Sequence, residues 1–336
     1  MRVALIASAA GPNACYRVFG PAAVLRARGH RVFSSVFAEM RDPNALFDFD
    51  VVYGWRMHDE FFTRIAKSLA EQRIGFVWDN DDNFDAIDAR GRPNQKLFSS
   101  LRGRRIVADM NALMRMANFV TTPSAGLAEH YRGTVSTEVR VIENFIDAPT
   151  PRETPSRPEQ IVVGWVANAE HRTDIERLGL RDIFQRVLDQ HPNVHMVSIG
   201  CGLGLRSERY HHIREVPFHE LRSYMASFDI GLAPIADSPF NRSRSNVKVK
   251  EYAALGVPWL ASPIGPYTGL GADEGGRLVP DDRWFEELSR LALDARGRRK
   301  LAKKAVKWAR RQTIEENAHL WEATFQEAAT RAGRRL

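Results

Sequence analysis

The chain has 336 residues, 44% hydrophobic and 26% charged, which is the make-up of a globular protein with room for two ordinary domains. Its net charge of +7 admits nucleic acid, anionic lipid or phosphorylated ligands as partners without choosing among them. The two cysteines, Cys15 and Cys201, lie far apart without metal-ligand spacing, which argues against a disulfide framework or a zinc site and favours a reducing cytosol.

In chain order, MRVALIASAAGPNACYR opens with an apolar run too short and too quickly interrupted to span a membrane, so it reads as a first strand, with a poor signal peptide as the alternative. Strand-length runs then alternate with stretches of helical period: Val3 to Ala7, Val32 to Phe37, Val51 to Gly54, Gly75 to Trp78, Phe119 to Thr122 and Val139 to Ile142 as strands, Gly20 to Arg28 and Glu60 to Gln72 as helices. APTPRETPSRPE, residues 148–159, carries four prolines and no core-forming period, and reads as a semi-rigid connector. The same grammar restarts with IVVGWVA (161–167), a helix from about Asp174 to Gln190, VHMVSIG (194–200), the segment REVPF, a short helix HELRSYMASF, IGLAPI (230–235), a helix around VKVKEYAALG and the strand PWLAS. The expected class is α/β, with two Rossmann-like doubly wound domains facing each other across a cleft: residues 1–150, a linker over 151–160, and residues 161–313.

DNDDNFD, residues 79–85, places four aspartates in seven positions after the run ending at Trp78. Asp79, Asp81 and Asn83 match the first ligand positions of a calcium loop, but Phe84 stands where that loop needs glycine and Arg90 where it needs glutamate. The alternatives are a functional cluster at a strand end and a polar loop that starts a helix near Ile87.

Two further stretches follow the second set of strands. SIGCGLG (198–204) has Leu205 where the dinucleotide fingerprint needs its last glycine, and reads better as a glycine-rich turn lining a cleft. SPFNRSRSNVKVKEYAALGVPWLASPIGPY (238–267) brings Arg242, Ser245 and Asn246 to a helix start, with Lys248 and Glu251 on the helix. Free N–H groups, the helix dipole and forked cations favour phosphate, and a glutamate one turn on can accept hydrogen bonds from ribose hydroxyls. The bland reading is a solvated basic loop with a Lys248–Glu251 surface pair.

That stretch resembles the donor-binding region of glycosyltransferases with the B-type double Rossmann fold (GT-B), most like the family-4 retaining enzymes. ARGHRV (27–32), VIENFID (141–147) and GWVANAEHRTD (164–174) resemble further family segments in the correct order. The resemblance implies that Glu251 is the second glutamate of the family's E-x7-E motif and holds the nucleotide ribose. Ser243 stands where the first glutamate belongs, with Asp237 and Asn241 as nearby substitutes. It places Arg172 and Lys248 near the diphosphate, whose developing charge needs cations in a dry site, with Asn168 and His171 among the other donor-binding residues. Tyr16 and Arg17, in the loop after the first strand, become acceptor-side or phosphate-side candidates, their bland reading being a core tyrosine and a surface arginine.

The implied activity is transfer of a sugar from a UDP- or GDP-type nucleotide diphosphate-sugar to a hydroxyl on a glycan, a lipid-linked acceptor or a small molecule. Retention of configuration, no metal and no further cofactor come with it. Asp81 and Asp82 are then acceptor ligands or a base, and Asp79 caps the strand end. Residues 314–336 resemble the family's last helix, which crosses back to the first domain. GRRKLAKKAVKWARR (297–311), with eight cationic and no acidic side chains, reads as a solvated helix face with Trp308 docked, or as a peripheral contact with an anionic membrane at the inner face of a cytoplasmic location. The competing functions are a protein of the same fold that binds nucleic acid or membrane without transfer, and a nucleotide-sugar epimerase.

Overall fold

The computed structural model describes residues 1–86, 100–152, 159–168 and 171–334. The helix start expected near Ile87 and residues 153–158 of the proline-rich connector lie outside these. The chain divides into unit 1, formed by Met1–Asp147, Arg242–Ser245 and Ile314–Leu336, and unit 2, formed by Ala148–Asn241 and Asn246–Thr313.

Unit 1 holds a six-stranded sheet built from β1 (Arg2–Ala7), β2 (Arg31–Val36), β3 (Val51–Trp55), β4 (Gly75–Asp79), β5 (Phe119–Thr122) and β6 (Val139–Val141) in the order β2-β1-β3-β4-β5-β6. All pairings are parallel, with Val3 level with both Val32 and Val51. β3 and β4 are buried throughout, because helices cover both faces of a parallel sheet. Ala4, Ile6, Val52, Phe76 and Trp78 pack into one core, and Val3, Leu5, Val51, Tyr53 and Val77 into another. Asp59, Ser100 and Ser124 cap the helices that follow them, each accepting from a backbone N–H three residues on. The helix Ile314–Arg331 packs on β3, β4 and the helix Gly20–Ala27, burying Trp321, Phe325 and Ala328 completely. Gly75 is bare because a Cβ there would lie 2.9 Å from the backbone at Ala328 and Ala329.

Unit 2 holds β7 (Ile161–Ala167), β8 (Val194–Gly200), β9 (Tyr210–Ile213), β10 (Ile230–Ala233), β11 (Trp259–Ala261) and β12 (Gly276–Leu278), also all parallel, in the order β12-β11-β10-β7-β8-β9. β9 and β12 carry no long apolar run and were not among the expected strands. The single helix expected over 174–190 is two, Arg172–Arg177 and Leu180–Gln190, separated where Gly179 takes a left-handed φ of 61°. The glycine-rich turn of SIGCGLG is present: Gly200 has φ 89°, and a Cβ on it would lie 2.3 Å from the Ala167 carbonyl oxygen. The basic helix, Ala295–Ala309, buries Leu301, Ala305 and Trp308, so its narrow apolar face is used in packing.

Each sheet has one point where strand order reverses, between β1 and β3 in unit 1 and between β7 and β10 in unit 2. Loops leaving the carboxyl ends at such points diverge and leave room for a ligand. In the second sheet Gly164 faces Phe228 so closely that a Cβ would sit 2.1 Å from the ring. Gly164→Ala is expected to destabilise the protein by about 1–3 kcal/mol in urea unfolding, whereas Gly271→Ala, with open space around it, changes stability by less than about 0.5 kcal/mol.

Candidate functional site

In unit 2 the residues after β7 and β10 are tied together by a buried carboxylate. Asp174 meets the ring of His171 (Nδ1 to Oδ2, 2.7 Å), and its other oxygen accepts from the Ala236 N–H at 3.0 Å and the Asn241 amide at 2.8 Å. Burial alone would raise the Asp174 carboxyl, but these hydrogen bonds and His171 outweigh it and hold it below its ordinary range. His171, expected among the donor-binding residues, is 2% exposed and packs edge-on against Trp165. Asn168 and Arg172 flank it and are exposed.

The helix Val247–Ala254 starts at Asn246, whose side chain makes no capping bond. Lys248 donates to the Val166 carbonyl at the end of β7, which brings the lysine and Asn168 to the same sheet edge. On the same helix Tyr252 donates to the Leu232 carbonyl at 3.0 Å and accepts from the Val166 N–H at 3.3 Å. Glu251 is almost buried and accepts from Arg222 Nε at 2.9 Å. Sequence reasoning missed Arg222 and Asp174: one lies in a short helix of mixed polarity, the other beside a stronger basic signal. Asn241, considered as a substitute for the missing glutamate, donates to Asp174 and to the Ala236 carbonyl.

In unit 1 Arg17 leaves the π-helical turn Cys15–Phe19 after β1 and is fully buried, so the surface-arginine reading is wrong. Its guanidinium pairs with both carboxylate oxygens of Asp79, with Nε to Oδ1 at 3.0 Å, and donates to the Ile142 carbonyl and to Asn144 Oδ1 at 3.1 Å. Thr121 donates to the same carboxylate at 2.6 Å. Asp79, expected to cap the strand end, is instead the counter-ion of Arg17. Tyr16 is buried beside it in the turn.

The rest of DNDDNFD folds around Arg56, a non-glycine residue with φ 54° at the end of β3. Arg56 donates from Nε to Asp81 Oδ1 at 2.7 Å and from its terminal nitrogen to Asp82, while its guanidinium stacks on Trp55 and Phe84. Trp55 Nε1 donates to Asp81 at 2.8 Å, leaving Asp81 buried; the Asp82 side chain keeps 22% exposure. Burial works against the charge on Arg56, and the two carboxylates more than restore it, raising its pKa. Asn80 accepts from the N–H groups of Asp81 and Asp82 and donates to Tyr131, making the loop a closed turn. Among the described residues no group of histidine, cysteine and carboxylate side chains is arranged to hold a metal ion.

Residues 242–245, expected to bind donor phosphate, group with unit 1 by their contacts. Ser243 Oγ accepts from Asn83 at 3.1 Å, its carbonyl accepts from Ser124 at 2.7 Å, and Ser245 Oγ accepts from Asn144 at 3.1 Å. The Arg242 carbonyl comes so close to Gly126 that a Cβ there would lie 2.3 Å from it. Ser243 is therefore a buried packing residue, and the Arg242 side chain is exposed.

No protein-family model and no curated protein sequence matches the chain. Solved structures do match, and they define the fold as GT-B, two Rossmann-like domains in one chain. HepE of Anabaena, solved in complex with UDP, superposes with a TM-score of 0.67 at 15% identity over 97% of this chain and 100% of that one. WaaG, a glycosyltransferase involved in lipopolysaccharide biosynthesis, gives 0.61 at 14% identity over 96% and 99%. A UDP-forming trehalose-phosphate synthase from Burkholderia xenovorans gives 0.59 at 12% identity over 99% and 100%.

The two polar centres respond differently to mutation. Asp79→Ala leaves the buried Arg17 charge without its partner and is expected to destabilise the protein by about 3–5 kcal/mol in chemical denaturation. Asp174, whose pKa is depressed by folding, contributes stability that is present in full above its ordinary value of 3.8 and lost as pH falls through the lower folded value. Asp174→Asn should accordingly flatten the acid limb of the stability-against-pH curve below about pH 4, read by urea midpoints at a series of pH values.

Proposed function

We propose that the chain is a glycosyltransferase that moves a sugar from a UDP- or GDP-type nucleotide diphosphate-sugar to a hydroxyl acceptor. The observation that carries this is the likeness of the whole chain to HepE, whose structures hold UDP and UDP-glucose, together with Glu251 and Lys248 on the helix after the β7/β10 reversal. In this reading Glu251, fixed by Arg222, accepts from the ribose hydroxyls, and Lys248 with the exposed Arg172 offsets the charge that builds on the departing diphosphate. Asn168 sits where its amide serves the same phosphates. Asp174 ties His171 to the backbone after β10 and so positions the start of the helix Arg172–Arg177.

On the acceptor side Asp82, part-exposed and oriented by Arg56, binds the acceptor hydroxyl. Asp79 and Asp81 support it from beneath. The reaction proceeds with retention of configuration and without a metal, a donor phosphate oxygen taking the acceptor proton.

Calorimetry with UDP-glucose and GDP-mannose should give binding of one of them at sub-millimolar concentration; no heat from any nucleotide diphosphate-sugar at millimolar concentration would sink the donor assignment. Glu251→Ala is expected to weaken UDP or GDP binding about 10–100-fold, the loss of hydrogen bonds to a charged acceptor, with the thermal midpoint little changed. Turnover should persist in excess EDTA, and turnover that needs a divalent cation would return the aspartate cluster to consideration as a metal site.

A further inference from the structure

A cavity of about 550 Å³ opens in unit 2 at the amino ends of the strands, beside Ile161 at the start of β7, Asp229 just before β10 and Pro258 just before β11. This is the end of the sheet opposite to Asn168, His171 and Lys248. Its wall is apolar at Leu255, Pro258, Ala302 and Val306 and cationic at Arg152, Arg298, Arg299 and Lys303.

Among the described residues the lining carries four cations, Arg152, Arg298, Arg299 and Lys303, against one carboxylate. Asp229, the carboxylate of the lining, is engaged by Arg152 at 3.0 Å and by the Val162 N–H at 2.9 Å. Asp294 accepts from the Gly297 N–H at the head of the basic helix. Arg298, which lines the cavity, donates to the carbonyls of Leu291 and Ala292 in the last turn of the preceding helix. Burial pushes the Arg298 guanidinium below its ordinary pKa, and the nearby Arg299 and Arg152 push the same way, against the pull of Asp229 and Asp294. Arg299 and Lys303 stand four residues apart on one helix face, a like-charge spacing that mildly destabilises a helix and that a bound anion would relieve.

We propose that this cavity binds a phosphate-bearing anion at Arg298, Arg299 and Lys303, with any organic portion against the apolar wall. Its volume is that of a small-molecule pocket, and the mixture of an apolar wall with a few convergent polar groups is what such pockets use to orient a ligand. Arg298 is half-buried while Arg299 and Lys303 are exposed, and cations gathered at one cavity raise the local potential and favour multiply charged anions over monovalent ones.

Pyrophosphate is the probe, titrated calorimetrically in the presence of saturating UDP so that it does not compete for the proposed donor region. Arg299→Glu/Lys303→Glu should weaken pyrophosphate binding at least about tenfold, whereas Lys300→Glu/Lys307→Glu, with the same charge change on the same helix but outside the cavity, should weaken it less than about threefold. Co-sedimentation of the same variants with phosphatidylglycerol vesicles identifies the source of the anion. Selective loss there assigns a lipid headgroup, and selective loss with pyrophosphate alone assigns a soluble phosphate compound. Equal weakening in both double variants, or none in the first, with both probes overturns the proposal. A protein that ignores UDP would undo the donor reading and leave this result to stand or fall by itself.

Discussion

Taking the Arg17 guanidinium out of water costs several kcal/mol unless its donors are met, and unit 1 meets them with the Asp79 carboxylate, the Ile142 carbonyl and Asn144. These partners come from the ends of β4 and β6, with Thr121 of β5 on the same carboxylate, so one side chain fixes the carboxyl edge of four strands relative to each other. Because Asp79 is committed below, the chain after it must turn outward. Asp81 and Asp82 then meet Arg56 coming off β3; of this pair Asp82 keeps contact with solvent, while Asp85 beyond them is exposed beside His130. A run of acids that looks like a cation site is thereby organised by two arginines.

Unit 2 reaches a comparable end by a different route. Among the described residues no arginine is buried beneath its sheet edge; Asp174 draws together His171, the backbone after β10 and Asn241 through hydrogen bonds. Lys248 and Tyr252 then clamp the helix to the last residues of β7. The loops that the proposed function relies on are thus held by polar contacts at the strand ends, while the apolar core beneath them is made of residues such as Trp165, Phe184 and Leu232, all fully buried.

How much could be read beforehand follows from where each signal lives. Strands buried on both faces, such as Val51–Trp55 and Phe119–Thr122, announce themselves as apolar runs, and the alternation with helices settles a parallel α/β class. Edge strands are different: Tyr210–Ile213 is largely exposed and reads as polar, and Gly276–Leu278 is too short to show a period. Glu251 was visible because a helix motif surrounds it. Arg222, which holds it, sits 29 residues earlier in an unrelated helix, and no local pattern links the two. The exchange between Arg17 and Asp79, 62 residues apart, is invisible for the same reason. Ser243 was legible as a departure from the motif, but its burial against Asn83 and Ser124 needed the fold.

The helix Ile314–Arg331 gives unit 1 a discontinuous chain, and this bears on the order of events during synthesis. Most of the sheet of unit 1 is made first, yet the face of β3 and β4 that receives Trp321, Phe325 and Ala328 stays uncovered until all of unit 2 has been made. Unit 2 has no such dependence on a distant segment of its own and can close its core while the ribosome is still working. That face of unit 1 therefore stays open in the meantime, the kind of apolar surface that draws chaperones or aggregates. Release of the last turns of that helix is the step that ends the wait.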